Sequence, residues 1–306
     1  MADTVAAAEE PEGPRSVRVV DAPLVEPSNN SGLLEVFRRR YLLRLLVRRE
    51  ISARYQGSFL GMIWSYINPL SQLFLFYVVI GIIIGLRSTE NFGIHVFAGL
   101  IVVVFFTETF NAGTRSIVRN KALVSKLAVP REMFPVASMM VSGFHMGPQL
   151  VIMAIACAVL GWTPDPVGMA ALVLALLMMM VLGTALALMF SAANVFFRDI
   201  ANAINVLTNF VRFGVPMIYP FTMVETRFGE GSVDAYLMNP IAQAVLLMQR
   251  AFWVGTTEDV EGTIATHLPD DLFTRGLISL AGCLVLLVVA QWVFTRFENR
   301  IPEHLS

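Results

Sequence analysis

Apolar runs longer than the roughly 18 residues that mark a membrane-span candidate recur along this 306-residue chain. Six segments are predicted to cross a bilayer, at about 59–86, 92–112, 134–160, 167–197, 200–219 and 273–294. The fourth and fifth are joined only by a Phe-Arg-Asp turn at 197–199. The composition agrees, at 56% hydrophobic and 15% charged, where a soluble domain carries nearer a quarter of its residues charged. The expected fold class is an all-α membrane protein with six transmembrane helices. Cys157 and Cys283 both fall inside apolar runs and read as small buried hydrophobes, not as a disulfide.

Outside the spans the chain divides into an acidic, Pro-rich N-terminal tail (1–32), a basic helical stretch (33–56), the membrane domain (57–298) and a short tail (299–306). The N-terminal tail has no apolar core and is predicted to be disordered rather than a cleavable signal. With six spans and both termini placed in the cytoplasm, seventeen of the twenty-two Lys and Arg fall inside. Four (Arg87, Arg227, Arg250 and Arg275) fall outside with ten carboxylates, and Arg212 lies within a span; the positive-inside rule supports that orientation. The segment 241–254 fits no span. It is apolar but short, and it carries Gln243, Gln249 and Arg250. At about 1.5 Å per residue it cannot cross a ~30 Å hydrocarbon layer, so a short helix dipping in from the outer face, or lying in the interface, is expected.

Several chemistries are excluded. The chain has two lysines, Lys121 and Lys126, and neither ends a glycine-rich phosphate loop, so ATP hydrolysis by a P-loop is not expected here. The four histidines are widely spaced, and no HExxH occurs. A zinc site is not expected. The pair Asp270 and Asp271 reads as a solvated loop or a helix cap.

Polar residues inside the spans carry the functional signal. Asn202, Asn205, Asn209 and Arg212 recur at +3, +4 and +3, which sets them on one helix face. Arg212 lies about 18 Å along that helix, and an arginine facing lipid there costs at least ~2.5 kcal/mol. This face must therefore meet protein or water: a polar lining for a hydrophilic cargo, or a helix–helix seam glued by amides. Phe105, Phe106, Phe110 and Tyr219 are candidate companions, since sugars stack on aromatic faces; ordinary core or lipid-facing rings are the other reading. Glu108 is expected to pair with Arg212 or Arg115. No second acid or histidine is seen beside it in sequence, which argues against a proton relay.

On the cytoplasmic side, Arg40, Arg44 and Arg48 form a stripe on the basic helix. Such a helix is drawn to anionic headgroups, at about 1 kcal/mol per basic residue. Arg48, Arg54 and Tyr55 are candidates to meet a lipid-linked phosphate, with Arg54 and Tyr55 nearest the first span. Asn68-Pro69 is expected to kink that span. The loop NKALVSKLAVPREMFP (120–135) has the look of a docking segment.

Four motifs in order, GSFLGMIWSYINP (57–69), the loop just quoted, FFRDI (196–200) and Asn239-Pro240, resemble polysaccharide-export permeases of the ABC-2 class. The resemblance runs from about Leu33 to the C-terminus and is nearest the galactan-exporting, mycobacterial-type branch. It implies a homodimer of six-span subunits, each with an N-terminal interface helix and short re-entrant helices between spans five and six. It implies two copies of a separate ATPase holding ATP and Mg, with no cofactor in this chain, and a lipid-linked polysaccharide moved across a bacterial plasma membrane. By resemblance, Asn120, Lys121, Lys126, Pro130, Arg131 and Glu132 form the coupling segment that meets the ATPase. Val129 stands where the family has an aromatic. Membrane lipids are expected partners and nucleic acid is not. Other readings stay open: an ABC-2 permease for drugs or other lipids, a membrane enzyme on polyprenyl phosphates, or a scaffold.

Overall fold

The computed structural model describes residues 32–85, 89–126, 129–298 and 300–301. The tail 1–31, Arg87 and most of 299–306 lie outside the described residues. Every element among them is helical. In chain order these are α1 (Gly32–Arg38), α2 (Arg40–Tyr55), α3 (Trp64–Phe76), α4 (Phe92–Arg119), α5 (Lys121–Lys126), α6 (Met133–Val159), α7 (Pro166–Phe196), α8 (Ile200–Phe213), α9 (Thr222–Phe228), α10 (Glu230–Leu237), α11 (Pro240–Ala251), α12 (Val260–His267) and α13 (Leu272–Glu298). Five are long and apolar enough to cross a membrane: α4, α6, α7, α13, and the run Gly61–Ile83 that contains α3.

The parallel pair α4 and α7 forms the centre, with α6 and α8 on α4 and α13 on α7. Small residues set the close approach. A Cβ on Gly113 would lie 2.4 Å from the Ala187 Cβ, and one on Gly183 would lie 2.9 Å from Thr109 Cγ2. Without a hydrophobic drive between helices in lipid, such approaches supply the packing energy. A main core runs through α4, α6, α7 and α11. A second gathers Val36, Leu43 and Leu46 against Phe134, Leu188 and Phe294, fixing α1 and α2 to one end of the bundle.

Three elements depart from expectation. The basic stretch is two helices, broken at Arg39 (φ −90, ψ 37), because α1 docks on α13 while α2 docks on α6. The first span carries Pro69 within a continuous α3, and its irregular part is a π-helical segment, Tyr77–Ile83, further along. The fifth expected span stops early. α8 has 14 residues, about 21 Å, and ends before Gly214 and Pro216, where an N–H is lost. The chain then continues through buried Val215–Ile218, with Met217 packed on Gly99.

The awkward segment after Asn239 forms α11. Asn239 caps it, accepting from the Ile241 N–H at 2.9 Å, and Pro240 takes the first helical position, where its missing N–H costs nothing. From Ile241 to Ala251 every residue is buried, among α4, α7 and α13. The segment is thus an internal helix of the bundle, not one on its surface. Its polar residues meet partners inside: Gln249 donates to the Pro216 carbonyl at 2.8 Å, and Arg250 makes a two-pronged ion pair with Asp165 at 3.0 and 2.7 Å.

Candidate functional site

Three helices carry polar stripes at helical spacing: Ser65, Asn68 and Gln72 on α3; Glu108 and Asn111 on α4; His145 and Gln149 on α6. They converge on a cleft of about 390 Å³, completed by Arg54 and Tyr55 at the end of α2 and by Arg212 near the end of α8. Contacts along α4 show how α8 reaches it. Arg115 donates to the Ala201 carbonyl at 3.2 Å, Asn111 to the Thr208 hydroxyl at 3.1 Å, and Met217 lies on Gly99. α8 therefore climbs α4 away from the α2 end, which brings Arg212 beside the cleft.

Arg54 donates to Glu108 and lies 2.8 Å from His145 Nδ1; that nitrogen is 3.1 Å from the same Glu108 oxygen. Tyr55 hydrogen-bonds Ser65 and, at 2.8 Å, His145 Nε2. The expected pairing of Glu108 with Arg212 or Arg115 is therefore replaced by one with Arg54, and a histidine does stand beside this acid. Helical spacing could not show this, because His145 lies 37 residues from Glu108 on another helix. Arg212 makes no ion pair among the described residues, and its Nε is buried without a partner. A second cavity of about 200 Å³ lies beside the first, and Arg54 lines both; Glu50 and Arg119 line it as an ion pair at 2.5 Å.

The other expected lining residues divide. Asn202 and Asn209 are exposed and Asn205 is half-buried; the packed face of α8 is Ile204 and Thr208. Tyr219 is half-buried and donates to the Phe213 carbonyl at 3.2 Å. Phe105, Phe106 and Phe110 are corrected to core residues. Each is only 2% exposed, and Phe110 packs edge-on against Phe190. They share α4 with the cleft but none of them lines it. Arg48 is exposed on α2 and is not part of the cleft.

The expected coupling residues are mostly turned inward. Asn120 is 5% exposed and bridges α4 to α2, accepting from Arg49 at 3.0 Å and donating to Glu50 at 2.9 Å. Arg131 donates to the Glu298 carbonyl, and Glu132, 2% exposed, accepts from Gln291 at 2.9 Å. The Pro-Arg-Glu element thus ties the start of α6 to the end of α13. Pro130 is half-buried, Lys121 is exposed on α5, and the Lys126 side chain lies outside the described residues. No group of three or more metal-ligating side chains exists among the described residues.

A bundle of membrane-length helices that folds arginines, amides and a carboxylate around an internal cleft defines a polytopic membrane protein of the transporter class. The chain belongs to the ABC-2 type transporter family, whose pattern matches residues 41–252, from the first turn of α2 to the end of α11. It is 27% identical over 232 residues to the O-antigen export system permease protein RfbA of Myxococcus xanthus, covering 76% of this chain and 87% of that one. A relative of the same name from Klebsiella pneumoniae is 23% identical over 264 residues, covering 86% and 95%.

Proposed function

We propose that this chain is the membrane subunit of an ATP-driven exporter that carries a lipid-linked polysaccharide, galactan or O-antigen-like, out across a bacterial plasma membrane. It works as a homodimer with two copies of a separate ATPase, which hold the ATP and Mg; the α2 end and both termini face the cytoplasm. Family membership and the O-antigen export role of the two relatives support this reading, and one observation carries it. Two arginines, one of them without an ion pair among the described residues, line a polar cleft between the end of the basic helix and the first span. An anionic lipid headgroup has charge to be matched there, while α3, mostly exposed along its length, leaves the lipid tail in the membrane. The exposed asparagine face of α8 then offers hydrogen bonds to the glycan. Lys121 and the exposed side of α5 meet the ATPase, and Asn120 passes movement there directly to α2.

The test is glycan transfer in vesicles holding this chain and its ATPase. Transfer is expected only with hydrolysable ATP, and equal transfer without nucleotide refutes the reading. Purification from detergent extracts is expected to bring a P-loop protein in equal amount.

A further inference from the structure

Glu108 and His145 have no part in the proposal above, yet they hold the arginine at its centre. Arg54 Nη1, Glu108 Oε1 and His145 Nδ1 meet at one point, with Nδ1 2.8 Å from the guanidinium and 3.1 Å from the carboxylate. A guanidinium only donates, and a carboxylate only accepts. Nδ1 cannot answer both. With its proton on Nε2, the ring accepts from Arg54 through Nδ1 and donates to Tyr55 at 2.8 Å; Tyr55 in turn donates to Ser65. Arg54 is then held by two acceptors. A proton added at Nδ1 makes the ring a donor to Glu108. It removes one acceptor from Arg54 and sets a like charge beside it.

We infer that Glu108 and His145 are positioning residues forming a proton-linked latch on Arg54, such that His145 gains a proton when an anionic diphosphate binds the cleft. The inference rests on the reading of the cleft as an anion site. The charges facing His145 are few. α2 supplies Arg54 and Tyr55, α4 supplies Glu108, and α8 supplies Arg212. The α3 lining residues carry no ionisable group, and α7, which also packs on α6, has none along its length. Beyond Arg54, Glu50 and Arg119 neutralise each other. The cleft therefore carries one net positive charge with neutral His145 and two with the ring protonated. By linkage, a ligand that prefers the second state draws the proton in, and the proton tightens the ligand by the same factor. Imidazole is the side chain suited to this near neutral pH.

The full chain in detergent, titrated calorimetrically with farnesyl diphosphate in buffers of different ionisation heat, tests this. His145→Gln serves as the reference, because it retains the titration of the ligand itself. Between about pH 8 and about pH 6, wild-type affinity is expected to rise about tenfold more than that of the reference, with extra proton uptake. Glu108→Gln, which frees Arg54, is expected to bind about tenfold more tightly at about pH 8, a gain that a merely structural role does not produce. Equal proton uptake in wild type and His145→Gln, or weaker binding by Glu108→Gln, overturns the latch and leaves the anion site standing. Inorganic pyrophosphate binding as tightly as the farnesyl ester supports the latch but overturns the lipid source. No binding by wild type and Glu108→Gln alike overturns the anion site and the latch together.

Discussion

Asp165 does two jobs at the start of α7. One oxygen accepts from the Gly168 N–H at 3.2 Å, capping the helix, and both oxygens face the nearly buried Arg250. Asp165→Asn leaves that guanidinium half-matched and is expected to cost about 2 kcal/mol, between the values for exposed and sealed pairs. The Arg250 hydrogen bonds hold the Asp165 carboxyl below its ordinary range. Its contribution is therefore complete above the unfolded value of about 3.9 and is lost as pH falls through the lower folded value. Thermal unfolding in detergent is expected to show a constant wild-type advantage over Asp165→Asn down to about pH 5, shrinking below about pH 4. Single residues were unevenly legible in the sequence. Arg212 stood out because an arginine amid apolar neighbours is costly wherever it points. His145 did not, although Ser138, Ser142, His145 and Gln149 recur at +4, +3 and +4 on α6, the same kind of stripe that marks α8. Phe105, Phe106 and Phe110 misled because aromatic content alone does not say which side of a helix meets the core.

At the scale of elements, α8 is the informative one. Its packed side is narrow, Ile204 and Thr208, while Asn202 and Asn209 stay exposed on a helix that climbs beside α4. Replacing Asn205 and Asn209 with Leu is expected to abolish glycan transfer in vesicles while leaving ATP hydrolysis by the assembled complex within about twofold, because neither side chain supports the fold. Retained transfer assigns the cargo to another chemistry. Asn120→Ala is expected to do the reverse. It cuts the bridge between α2 and α4, so hydrolysis continues while transfer falls about tenfold or more, a loss of coupling worth about 1.4 kcal/mol. The long helices were legible because twenty or more apolar residues admit few alternatives. The break at Arg39 was not, since it arises from docking on two different partners. The end of α8 was legible in part, since Pro216 breaks the expected fifth span although the apolar pattern runs on past it.

For the whole molecule, the distribution of basic residues predicts an orientation that chemistry can check. Both native cysteines are buried, so the wild-type chain is expected to give no labelling with polar thiol reagents. In intact cells an impermeant maleimide is expected to label Glu258→Cys and to spare Ser125→Cys until the membrane is opened; the opposite result inverts the topology. The burial of α11 among α4, α7 and α13 was beyond the sequence, because a fourteen-residue apolar segment with two glutamines and an arginine fits a surface helix and an internal one equally well. Finally, the central α7 has no ionisable side chain. A membrane potential does work only on charge, about 2.3 kcal/mol per elementary charge for each 100 mV crossed. Glu108 and Arg54 cancel as a pair, so the voltage across the cell envelope pulls chiefly on Arg212. The electrical load of an energised membrane falls on α8, while the central α7 feels none of it.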